Sequence, residues 1–200
     1  INLSNQLMAN RGKPSRSFNR ARSKVCLANI NDLLLTKSES EKYNQAIYAI
    51  AILRLVYQAI SKNLDVVLLS RTNTLPWAVP VKGKNSNSLD VFLNWLRQQF
   101  PIHERNRITI STVHKYKGSE KTCVIVLDTL IGRYPLIHKD SFFFRIFGVT
   151  LDSIIEDERR LFYVAISRPQ QELYLLTDSR EESPFIKDIR EQLTFVDWGD

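Results

Sequence analysis

An α/β fold with a mostly parallel sheet flanked by helices is what the sequence predicts, and three observations predict it. The short runs DVVLLS (Asp65–Ser70), Cys123–Leu127 and ELYLLT (Glu172–Thr177) are almost continuously apolar. Such runs suit strands buried on both faces, the situation of a parallel sheet covered by helices. Segments with apolar residues at helical spacing alternate with these runs. The composition is that of an ordinary globular chain, 44% hydrophobic and 24% charged, and 200 residues are enough for one good core.

In chain order, residues 1–23 read as a leading helix (Leu3, Leu7, Met8) followed by a basic linker, RGKPSRSFNRAR. Lys24–Ala28 is a short strand. From Glu41 to Lys62 a long amphipathic helix is expected, with Ala46, Ala49, Ile50, Leu53, Val56, Tyr57 and Ile60 at helical spacing. Asp65–Ser70 is the first fully buried strand. A helix at Leu89–Gln99 precedes strands at Ile108–Ser111 and Cys123–Leu127. Ser153 with Glu156 three residues on has the form of a capping box and opens a helix through Ile166. Pro169 stops it, Glu172–Thr177 returns to the sheet, and Ser183–Pro184 start a last helix.

The net charge is +7, from 28 basic and 21 acidic residues. The excess favours anionic partners through long-range attraction and decides nothing alone. Cys26 and Cys123 sit in apolar runs and read as free buried thiols of a reducing cytoplasm. Three scattered histidines without cysteine partners make no metal site. The most apolar stretch, Ile47–Tyr57, is too short to span a bilayer and is interrupted by Arg54, so no membrane association is expected. A first residue Ile1 and the absence of a signal peptide suggest a piece of a longer polypeptide.

Three segments carry chemistry. In LLSRTN, Arg71 directly follows a strand, where a forked guanidinium either enters the cleft at the sheet edge or forms a surface ion pair. In ITISTVHKYKGSE (108–120), Thr112, His114, Lys115 and Lys117 suit a sugar-phosphate backbone. In the same segment Gly118 permits close approach or a positive φ, and Glu120 could accept from ribose hydroxyls. The alternative is a plain polar loop. In EDERRLFYVAISRP (156–169), Leu161, Phe162, Ala165 and Ile166 form a core face and Arg168 emerges at the last turn. Glu156 and Arg160 have the spacing of a surface pair.

In this order the three segments resemble motifs IV, V and VI of UvrD/Rep-like superfamily-one DNA helicases, over roughly residues 64–178, with a layout similar to the helicase IV type. The resemblance implies the second of two RecA-like motor lobes of an ATP-dependent 3′–5′ DNA helicase or translocase, here residues 24–200. Arg71 and Arg168 would be arginine fingers on the γ-phosphate, Gly118 and Glu120 nucleotide contacts, and Thr112, His114 and Lys115 contacts to DNA. The implied partners are single-stranded or partly duplex DNA and the first RecA-like lobe. ATP with Mg2+ would be held mainly by that other lobe. Both arginines are expected on one rim of the sheet.

The sequence departs from the family pattern in places. KGSE stands for the commoner KGLE and SRP for TRA. Too few residues separate motifs IV and V for a large accessory domain, so residues 78–106 are expected to form a short substitute whose Trp77 and Trp95 are exposed to stack on bases or join the core. No G-x-x-x-x-G-K-[ST] loop occurs, so this lobe lacks its own phosphate cradle and the chain alone is expected to be inactive. A binding or regulatory module that has lost the motor is the competing reading.

Overall fold

Six strands, all parallel, form one sheet in the order β3-β2-β4-β5-β1-β6. The strands are β1 (Lys24–Asn29), β2 (Val66–Ser70), β3 (Ile108–Thr112), β4 (Lys121–Val126), β5 (Pro169–Thr177) and β6 (Thr194–Phe195). The computed structural model describes residue 7 and residues 24–43, 46–81, 86–138, 148 and 150–199. The helices are α1 (Lys37–Lys42), α2 (Ile47–Ser61), α3 (Leu89–Gln98), α4 (Leu151–Ile166) and the short α5 (Pro184–Lys187).

The continuously apolar strands feed two separate cores because successive side chains leave the pleat on opposite faces. Val66 and Leu68 of β2 pack with α2 and α3, whereas Val67 and Leu69 pack with α4 and α5. Every residue of β2 is buried, which is why it reads as an unbroken apolar run. Leu7 is helical and buried in the α4 layer; the rest of the expected leading helix and basic linker lies outside the described residues.

Several sequence expectations are corrected. The long helix is two. Thr36 and Glu39 form a capping box that starts the polar α1, and Tyr43 ends it by turning inward against Trp95, with ring centroids 5.7 Å apart. Within α2 the buried stripe is Ala49, Ile50, Ala51, Ile52, Leu55, Val56 and Ala59, and Tyr57 is exposed. The capping box of α4 lies one turn earlier than expected, between Thr150 and Ser153. Pro169 both ends the helical segment and begins β5.

Residues 78–106 contain α3, which crosses from β2 to β3 and buries Leu89, Phe92 and Leu96. Neither tryptophan presents a free ring. Trp77 is stacked on Tyr48 at 4.4 Å and Trp95 packs on Phe92 at 5.5 Å, so both belong to the core. Both cysteines are free and buried, and burial pushes the Cys123 thiol up to about 12.

Candidate nucleotide and DNA sites at opposite edges of the sheet

Chain direction decides where the motif residues lie. Arg71 follows the carboxyl end of β2, and its backbone N–H donates to both carboxylate oxygens of Asp128, beyond β4. Arg168 precedes the amino end of β5, and its carbonyl accepts from the N–H of Lys121, the first residue of β4. In a parallel sheet these are opposite edges. Lys121 and Asp128 are seven residues apart along one extended chain, roughly 20 Å. The expectation that both arginines share one rim is therefore not met.

At the carboxyl edge Arg71 is fully engaged. Its Nε and one terminal nitrogen hold the Glu158 carboxylate in a two-point pair, at 2.9 and 2.6 Å. The other terminal nitrogen contacts His114 Nε2 at 3.2 Å. The pair is largely buried, with side-chain exposures of 12% and 10%. Burial works against the guanidinium charge, but Glu158, Tyr134 and Asp128 outweigh it and hold Arg71 above its usual range.

Asp128 organises the same edge. It accepts from Ser70 Oγ at 3.0 Å and from the Arg71 N–H, and faces Arg133 at 3.3 Å. Complete burial pushes its carboxyl up; Arg133, the Arg71 N–H and Ser70 oppose the shift. Arg133 also donates to Thr72 Oγ1 and the Thr74 carbonyl, tying down the segment after β2. The crevice between the carboxyl ends of β2 and β4 is where the connections diverge, β2 leading by α3 to β3 and β4 by α4 to β5 on its other side. Open α/β sheets place ligands at such a point.

Motif V joins the two edges. Only residues 113–120 connect β3 to β4, a parallel crossover shorter than the usual dozen. The segment crosses the α4 face of the sheet, with Val113 and Tyr116 packed in that layer. Thr112 is turned inward, 6% exposed, and its hydroxyl accepts from the Lys115 N–H at 3.4 Å. Its side chain thus caps the turn, whereas His114 and Lys115 are exposed. Gly118 has φ +89°, with nothing near the position a Cβ would take; positive φ, not close approach, explains the glycine. Ser119 is exposed.

At the amino edge Glu120 and Arg168 are neighbours. Glu120 is exposed; among the described residues its carboxylate has only a long contact from Gln170 Nε2, at 3.5 Å, and its carbonyl accepts from the Tyr116 hydroxyl at 3.1 Å. Arg168 Nε donates to the Val164 carbonyl at 2.9 Å and one terminal nitrogen to Ser167 Oγ at 2.8 Å. Among the described residues its other terminal nitrogen makes no hydrogen bond, and no carboxylate pairs with it. The Tyr116 hydroxyl is raised by burial, against the field of Arg168.

Sequence reasoning missed Glu158, Asp128 and Arg133. The signal for Glu158 was present: it lies four residues before Phe162 and seven before Ala165, on the apolar stripe of α4. A carboxylate there is almost never buried without a partner. The expected Glu156–Arg160 pair is replaced by Arg160–Asp157 at 2.8 Å and Arg159–Glu156 at 3.6 Å. Arg159 also pairs with Asp188 and covers the Phe185 ring.

Among the described residues no group of three or more His, Cys, Asp or Glu side chains could hold a metal ion. No helix among them is long and apolar enough to cross a membrane.

Comparison with known proteins agrees with the motif reading. The family model for the UvrD-like helicase C-terminal domain matches residues 82–180. The ATP-dependent DNA helicase PcrA of Bacillus subtilis strain 168 is 33% identical over 99 residues, 44% of this chain and 12% of that protein. A second relative from the same organism, YjcD, is 36% identical over 77 residues, 36% of this chain and 10% of that protein. The chain thus matches about a tenth of the length of these relatives. In structure, the C-terminal domain of a possible DNA helicase from Lactobacillus plantarum WCFS1 superposes with a TM-score of 0.53 at 15% identity, covering 96% of this chain and 92% of that one.

Proposed function

Since this chain carries a UvrD-like helicase C-terminal domain over residues 82–180, we propose that it is the second RecA-like lobe of an ATP-dependent DNA helicase or translocase. Its amino edge would face the nucleotide and its carboxyl edge the DNA. The observation that carries this reading is the contrast in free capacity. Among the described residues Arg168 has an uncommitted terminal nitrogen beside an exposed Glu120, and motif V joins Glu120 directly to the exposed imidazole and ammonium of His114 and Lys115.

In this proposal Arg168 is the arginine finger. Its Nε bond to the last turn of α4 fixes the fork, and the remaining N–H groups are available to charge developing on the γ-phosphate. Phosphoryl transfer is accelerated chiefly by such fixed positive charge. Glu120 would accept from the nucleotide sugar. Arg71 is not assigned this role, because its guanidinium is held by Glu158 at the other edge. In this proposal the phosphate-cradling loop and the magnesium ligands are supplied mainly by the first lobe. Movement from 3′ to 5′ follows from the family resemblance and is tested by strand displacement on tailed duplexes.

The test of function compares the pure chain with a polypeptide that also contains the nucleotide-cradling lobe. The account predicts no steady-state ATP turnover from the chain alone and DNA-stimulated turnover from the joined lobes. Turnover by the chain alone would contradict it.

A further inference from the structure

Arg71 raises a question that the motor reading leaves open: what a two-point, largely buried ion pair does beside the exposed residues expected to meet DNA. Three facts bear on it. Glu158 Oε2 accepts from Arg71 Nε and also from the Leu136 N–H at 3.0 Å, so one carboxylate joins the segment after β2, the loop after β4 and helix α4. Arg71 always donates, so His114 accepts at Nε2 and carries its ring proton on Nδ1. Finally, α4 runs without a break from Glu158 to its end beside Arg168. Its rise from Glu158 to Ile166 is about 12 Å.

We propose that Glu158 is a positioning residue that locks Arg71 to α4, so that Arg71 orients His114 on the DNA side and transmits its displacement along α4 to Arg168. The inference rests on the motor-lobe reading above. Glu158 also neutralises Arg71, withholding a cation from the phosphates beside His114 and Lys115. This has an unusual consequence: removing the Glu158 charge should tighten DNA binding while weakening its effect on catalysis. A purely structural residue would weaken both.

The experiment uses Glu158→Gln, which keeps an acceptor for the Leu136 N–H, and Arg71→Lys, which keeps the charge but loses the fork. Binding of a fluorescent oligothymidylate to the chain is measured across a salt series. Glu158→Gln should bind roughly threefold tighter at low salt, with a salt slope steeper by about 0.7, the increment for one added phosphate contact on a single strand. Arg71→Lys should leave the slope unchanged. An unchanged slope or weaker binding in Glu158→Gln overturns the proposal.

DNA stimulation of ATP turnover is then measured in the joined lobes. Both variants should lose about tenfold of it, within the usual range of coupling between sites. Full stimulation in either variant overturns the proposal. A wild-type protein that binds the oligonucleotide but shows no DNA-stimulated turnover refutes the motor reading, while the salt series still decides whether Glu158 masks a DNA-facing cation. A wild-type chain that binds no oligonucleotide contradicts both.

Discussion

The two edges of the sheet use arginine in opposite ways. At the carboxyl edge Arg71 is buried, paired at two points with Glu158 and in contact with His114, above an Asp128 that collects donors from Ser70, Arg133 and the Arg71 backbone. At the amino edge the Arg168 side chain is bonded, among the described residues, to its own helix end alone, and the nearby Glu120 is exposed. A saturated guanidinium builds structure, and one with donors to spare is available to a ligand. Position in a motif does not distinguish these cases; the identity of the partners does.

Substitutions can break or sharpen this contrast. The largest effect is expected for Arg168→Ala, which should reduce ATP turnover in the joined lobes by about 10³-fold or more, with DNA affinity nearly intact. Its melting temperature should barely change, because it removes no ion pair. His114→Ala should come next, leaving DNA-free turnover in place while DNA stimulation falls about tenfold. Glu158→Ala leaves a buried, unpaired Arg71 and should cost about 3 kcal/mol of stability, measured by urea unfolding of the chain. A loss as small as that of Arg168→Ala would erase the distinction between the edges.

The smallest effect lies away from both edges. Arg54 pairs with Glu39 at 2.7 Å, and that hydrogen bond, with help from Thr36, lowers the Glu39 carboxyl to about 2. A carboxyl depressed on folding contributes stability that is present above its ordinary value of 4.5 and is lost as pH falls towards 2. Glu39→Gln should therefore cost at most about 1 kcal/mol at pH 7, as expected of a partly exposed pair. The gap from wild type should close in melts taken between pH 4.5 and 2.

The fold was largely legible because parallel strands buried on both faces must be apolar nearly throughout, as β2 and the later parts of β4 and β5 are. Helix ends were harder. The break at Tyr43 depends on a tertiary contact with Trp95, and the cap at Thr150 falls outside the Ser153–Glu156 pattern. In the candidate site, the motif resemblance singled out the segments but placed Arg71 and Arg168 together, because a motif carries no strand direction. The partners that separate them, Asp128 and Glu158, are distant in sequence from Arg71, and only the register of β2 against β4 and the packing of α4 bring them in. The apolar stripe through Glu158 was the one local clue.

The central claim, that one arginine serves the nucleotide and the other serves the structure, is tested most directly by ATP turnover of Arg168→Lys and Arg71→Lys in the joined lobes, with thermal melting of each. The account predicts a turnover loss of about 10³-fold at an unchanged melting temperature for Arg168→Lys. For Arg71→Lys it predicts a lower melting temperature and a DNA-free turnover within about tenfold of wild type. Equal losses of turnover in both variants, with both melting like wild type, would contradict it.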